Sequence, residues 1–233
     1  MNPIILTCSN VTDYVRAAQK KLNTSYPVQE LDKELHDKPE RMREEVIRAV
    51  NSLPGEFDTV LIALGYCGGS FDNVVLNRRA VICRVDDCVT MLLTKDDTWY
   101  DNLKEAGHLY LLDNDVDFFS AGRMYRECVE RLGEKKALKV MKLMFANYRS
   151  VDVVETGEFD SRSEEAIEKA EFDARLINKP LQYVSGSNHM IEKLILGKWD
   201  EQFVVAEAGD RIAIENFGNI VPGERRNPIT VGF

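Results

Sequence analysis

The chain has 233 residues, 44% of them apolar and 30% charged, an ordinary globular composition with enough length to bury a substantial core. Its formal net charge is −9 and its isoelectric point is near 5.0, which argues against a broad nucleic-acid surface or an anionic-membrane partner. The longest apolar runs, such as residues 60–64, are too short to span a bilayer. Residues 1–7 lack the basic and long apolar stretches of a secretory signal, so the expected location is the cytoplasm.

Residues 3–7 are a short apolar run and predict a strand. Residues 11–22 follow with apolar positions near helical spacing, and Ser9 or Asn10 is the expected cap. Residues 27–31 predict a second strand and 32–38 a loop. Pro39 suits the first position of a helix that runs to Leu53 with an apolar stripe of Met42, Val46, Ile47 and Val50. Pro54-Gly55 ends it. Residues 59–64 are apolar after Thr59, as expected of a parallel strand covered on both faces. The loop Gly65-Tyr66-Cys67-Gly68-Gly69 comes next.

Residues 80–85 predict a fourth strand, ending in Asp86-Asp87-Cys88, with a helix over 89–93. A strand is expected at 108–112, and 118–148 is largely helical with Gly133 as a break. Strand-like and helical segments then alternate at 151–155, 163–177, 182–185, 191–196 and 203–206. The tail from Asn216 is loop-like and carries the basic pair Arg225-Arg226. This alternation predicts an α/β fold: a doubly wound, mostly parallel sheet with helices on both faces. It is either a single domain over 1–233 or two Rossmann-like halves with a lobe boundary near 118–150.

The reactive residues fall at particular places in that pattern. Cys8 comes just after the first strand, Cys67 three residues after the third, and Cys88 three residues after the fourth. In a parallel sheet these are all carboxyl ends, and open α/β sheets bind ligands in the crevice outside that edge. His36 also lies beyond a strand's carboxyl end. Three thiolates and an imidazole are a sensible donor set for zinc, and thiolates also hold iron–sulfur clusters. Helix N-termini at the same edge are expected to lower the thiol pKa values. The cysteines show no C-x-x-C spacing, so metal ligation depends on tertiary convergence. A catalytic or redox thiol, with Cys67 as nucleophile, and buried structural cysteines are the alternatives. Cys83, inside a strand, and Cys128, inside a helical stripe, are expected to pack in the core.

Gly65, Gly68 and Gly69 allow positive φ and close backbone approach to a cofactor, or simply form a tight turn. Arg84 either binds an anionic substrate or pairs with an Asp. Asp86 and Asp87 are expected to cap a helix, orient a histidine or bind a cation. His108 and the turn before His189 are expected to be structural.

Leu35-His36-x-x-Pro39, Gly65-Tyr66-Cys67-Gly68 and Arg84-x-x-Asp87-Cys88 together resemble the ordered motifs of an uncharacterised bacterial and archaeal domain-of-unknown-function family. Cys8 and Gly197-Lys198-Trp199-Asp200 also resemble that family. Its last motif usually reads Arg-x-His-Asp-Cys, and here Asp86 stands at the histidine position, which removes a histidine ligand or base there. The resemblance implies a setting among anaerobes with corrinoid-dependent methyl transfer. The expectation is a cytoplasmic zinc or iron–sulfur protein with ligands Cys8, Cys67, Cys88 and His36, accessory to that chemistry and taking a small-molecule or corrinoid-related ligand. A non-catalytic binding module and a thiol-dependent transferase are the alternatives.

Overall fold

A computed structural model describes residues 1–218; Arg225-Arg226 lies outside them. The described chain forms two compact units, Met1–Leu103 together with residues 188–218, and Lys104–Ser187. The 118–150 stretch lies inside the second unit.

The first unit begins with β1 (Pro3–Cys8), α1 (Thr12–Leu22), β2 (Val28–Leu31), α2 (Pro39–Asn51), β3 (Thr59–Ala63), β4 (Val74–Val75), β5 (Arg79–Cys83) and α3 (Cys88–Leu93). Every residue of β1 and β3 is buried, as continuous apolar strands covered on both faces require. Fully burying each Val, Leu or Ile of these strands is worth about 1.5–3 kcal/mol. Pro39 starts α2, and Met42, Val46, Ala49 and Val50 are its buried stripe; Ala49 takes the inward position expected of Ile47. Helix α1 has no side-chain cap: Val11 is its N-cap. The two expected caps are engaged elsewhere. Ser9 Oγ accepts the Lys33 amide at 2.9 Å, and Asn10 turns toward Cys88. Asn23, in the left-handed region, closes the other end.

The second unit holds β6 (His108–Leu112), α4 (Ala121–Leu132), α5 (Glu134–Met144), β7 (Ser150–Glu155), α6 (Glu164–Ile177) and β8 (Leu181–Ser185). Its strands run parallel in the order β6-β7-β8. Gly133, with φ +76°, separates α4 from α5. Asp173 on α6 accepts the amides of Ala121 and Gly122 at 2.9 and 2.8 Å, so one helix caps the start of another.

The chain then returns to the first unit with α7 (His189–Leu196), β9 (Phe203–Ala206) and β10 (Arg211–Ile212). The five-stranded sheet has the order β2-β1-β3-β5-β9. Its first four strands are parallel, and β9 runs antiparallel to β5. Strands β4 and β10, which the sequence pattern does not disclose, form a separate two-stranded ribbon. Helix α7 packs on α1, α3, β3 and β5. It is fastened by Lys193, whose Nζ meets Asp97, Asp200 and Gln202 at 2.6–2.7 Å, and by Asn188 Nδ2, which donates to the Tyr14 carbonyl at 2.8 Å.

The fold is therefore α/β with a mostly parallel, doubly wound sheet. From β1 the chain winds one way to β2, then reverses to β3 and β5 on the other side. That reversal places a topological switch point at the carboxyl ends of β1 and β3.

Candidate functional site

Cys8 is the last residue of β1. Cys67 lies in the loop after β3, and Cys88 is the first residue of α3. All three sit at the carboxyl edge of adjacent parallel strands, with Cys8 at the end of β1 and Cys67 on the loop after β3 flanking the switch point.

The loop 65–69 is held from several directions. The Tyr66 amide donates to the Val85 carbonyl at 2.8 Å, and the Cys67 amide to Asp86 at 2.7 Å. A Cβ at Gly65 would lie 2.8 Å from Asp87 Cα and 2.9 Å from the Val85 oxygen. Only glycine lets the two backbones approach that closely. Tyr66 packs on buried Phe217, ring centroids 5.2 Å apart. From α2, Arg43 donates Nε and Nη2 to the Gly69 carbonyl at 3.1 and 2.9 Å, and Pro39 Cγ would lie 3.4 Å from a Cβ on Gly68. The three sequence motifs thus meet at one loop. Arg43, one turn beyond Pro39, is a contributor that its ordinary place on a charged helix does not reveal.

Gly68 and Gly69 have φ of +72° and +120°, and Cys67 has φ +46°. The other non-glycine residues with positive φ among those described are Asn23, Asn73 and Asn178, and asparagine tolerates the left-handed region. Cysteine has no such tolerance, so the backbone at Cys67 is strained.

Burial pushes the Cys8 thiol up to about 11, partly offset by hydrogen bonds from the Asn10 and Val11 amides. Burial also raises Cys67 well above the ordinary thiol value, and the charge of Asp87 and, once ionised, that of Cys8 add to it. The expected lowering by helix N-termini is overridden, because burial disfavours the thiolate more than nearby amides favour it. Asn10, 1% exposed, donates Nδ2 to Cys88 Sγ at 3.8 Å. Asp87 caps α3, accepting the Val89 and Thr90 amides at 3.0 and 3.2 Å.

His36 lies in a 3-10 turn, Lys33–Asp37, its Nδ1 2.9 Å from the Lys33 carbonyl. Arg84 stacks on Trp99, 4.0 Å from the ring centroid, and donates to the carbonyls of Asn216 and Glu201 at 2.8 and 3.2 Å. Its guanidinium thereby ties down the segment after β10. Cys83 is fully buried in β5 and Cys128 half-buried on α4. Among the described residues, no three or more His, Cys, Asp or Glu side chains form a group able to hold a metal ion, and no helix is long and apolar enough to cross a membrane.

A family model described as Protein of unknown function (DUF1638) matches residues 30–195. That span includes His36, Cys67 and Cys88, and Cys8 precedes it. No curated protein and no solved structure matches the chain.

Proposed function

The chain belongs to the DUF1638 family, and on that premise we propose that it is a metal-binding protein of the reducing cytoplasm whose carboxyl-edge cysteines take zinc or an iron–sulfur cluster. The observation that carries this reading is Cys67. A strained left-handed cysteine, where glycine or asparagine would sit without cost, is placed at the switch point beside Cys8. Strain of this kind collects at binding and catalytic positions. Cys8, Cys67 and Cys88 are the proposed ligands, with His36 as a fourth.

Burial raises the Cys8 and Cys67 thiols above the ordinary thiol value and so favours their protonated form. Ligation by these cysteines would therefore release protons. The bound ion would supply Lewis acidity or, as a cluster, electron transfer. The resemblance of the motifs further suggests service to corrinoid-dependent methyl transfer, with a corrinoid-related or thiol ligand seated over the glycine loop.

Metal analysis of anaerobically purified protein tests the proposal, alongside Cys8→Ser, Cys67→Ser and Cys88→Ser. About one equivalent of metal or cluster per chain, reduced in each variant, is expected. Absence of metal, or unchanged metal in all three, overturns it.

A second reading is a non-catalytic small-molecule module. It is favoured by the absence, among the described residues, of a group already arranged for a metal. Thermal shifts against corrinoids, nucleotides and thiols test it, and turnover of any of them would count against it. A thiol-dependent transferase is less well supported, because the raised Cys67 pKa leaves little thiolate to attack.

A further inference from the structure

The second unit carries a polar cluster unrelated to the cysteines. The β6–β7 register pairs His108 with Ser150 and Tyr110 with Asp152, so all four side chains share one face of the sheet near its amino edge. Asp152 is 2% exposed. Its Oδ2 lies 2.7 Å from His108 Nδ1, and Ser150 Oγ lies 2.9 Å from the same nitrogen. Asp152 Oδ1 makes no hydrogen bond.

A carboxylate buried in the central strand of a three-stranded sheet is unfavourable for folding unless it serves a partner. Here the partner is the imidazole. With Nδ1 facing the carboxylate, the neutral ring carries its proton there and its lone pair on Nε2. This is how carboxylates orient metal-binding histidines.

His108 Nε2 faces the Glu105 carboxylate, 3.6 Å from Oε2. Zinc bonds of about 2.1 Å to nitrogen and oxygen would close that gap at an N–Zn–O angle of about 118°, between tetrahedral and trigonal. Tyr110 stacks on His108, centroids 6.2 Å apart, and its hydroxyl accepts the Glu105 amide at 2.9 Å, fixing the acidic segment beside the ring. The His108 side chain is 13% exposed and that of Glu105 73%, so an ion there is reached from solvent.

We propose that His108 Nε2 and Glu105 form an open site for a divalent transition-metal ion such as zinc, with Asp152 as the residue that orients the histidine and water completing the coordination. It is independent of the cysteine edge.

The test is zinc titration of the full chain followed by NMR of the histidine rings. There are 3 histidines, so substitution assigns the signals. The cysteines cannot mimic the readout, because it is the His108 ring itself. A saturable shift of His108 Nε2 is expected. Glu105→Gln, at an exposed position, should weaken it about tenfold, and Asp152→Asn about 10–100-fold. A ring unmoved by millimolar zinc, or an affinity unchanged in Glu105→Gln, overturns the proposal and leaves an ion pair only.

Discussion

Asn10 Nδ2 donates to Cys88 Sγ across 3.8 Å, joining the loop after β1 to the first residue of α3. Both residues are almost fully buried. Asn10→Ala removes that donor from an enclosed site. The expected loss of stability is about 1–3 kcal/mol, read by chemical denaturation. Cys88 should also react faster with a thiol reagent under native conditions. Unchanged reactivity would show that Asn10 does not guard the sulfur.

Cys67→Gly and Cys67→Ala separate backbone strain from side-chain packing. At φ +46° a Cβ costs about 1–2 kcal/mol. The glycine variant should therefore exceed the alanine variant in stability by roughly 1 kcal/mol, and both should lose any bound metal. Equal stabilities would mean that the loop relaxes and stores no strain.

Gly65 and the three motifs around it define what was legible in the sequence. Strand alternation located Cys8, Cys67 and Cys88 at one edge, because the burial pattern of β1 and β3 is written in their continuous apolar runs. The placing of Arg43 and Asn10 was not legible. Each is a polar residue whose partner, the Gly69 carbonyl or the Cys88 sulfur, is remote in sequence. Ser9 and Asn10 both suit a helix cap, and tertiary partners claim them instead. The strand at 203–206 was legible, but its antiparallel pairing with β5 and the β4–β10 ribbon were hidden for a related reason: pairing partners over a hundred residues apart leave no periodic signal.

The Cys8 thiol couples folding to alkaline pH. Its folded-state value is about 11, above the roughly 8.5 of a free thiol. The folded state holds its proton while the unfolded chain releases it. Stability from this group is complete below about pH 8.5 and is lost progressively up to about pH 11. Cys8→Ser should flatten that part of the profile in denaturation measured from pH 8 to 11. On the proposed ligation, metal affinity would run the other way, strengthening as pH rises and the thiols lose their protons.

Lys193 is a buried cation of the first unit, with side-chain exposure of 6%. Lys193→Ala removes three acceptors' partner at once but leaves Asp97 and Asp200, 72% and 43% exposed, free to take up water. The expected cost is about 2–4 kcal/mol, near the lower end for a broken buried pair. Thermal unfolding should show α7 loosening first, with hydrogen exchange rising across residues 189–196. A uniform change over the whole chain would contradict that order.

The second unit interrupts the first between Leu103 and Asn188, and this sets a sequence of events on the ribosome. Residues 104–187 emerge as a continuous stretch and can form β6, β7 and β8 as soon as they clear the exit tunnel. Strands β1, β2, β3 and β5 are made earlier but must wait for β9, which protects the open edge of β5. Until Phe203–Ala206 is synthesised, that edge is an unpaired template for other chains. Messages truncated between residues 188 and 203 should accordingly yield aggregating products, whereas a fragment spanning 104–187 should remain dispersed.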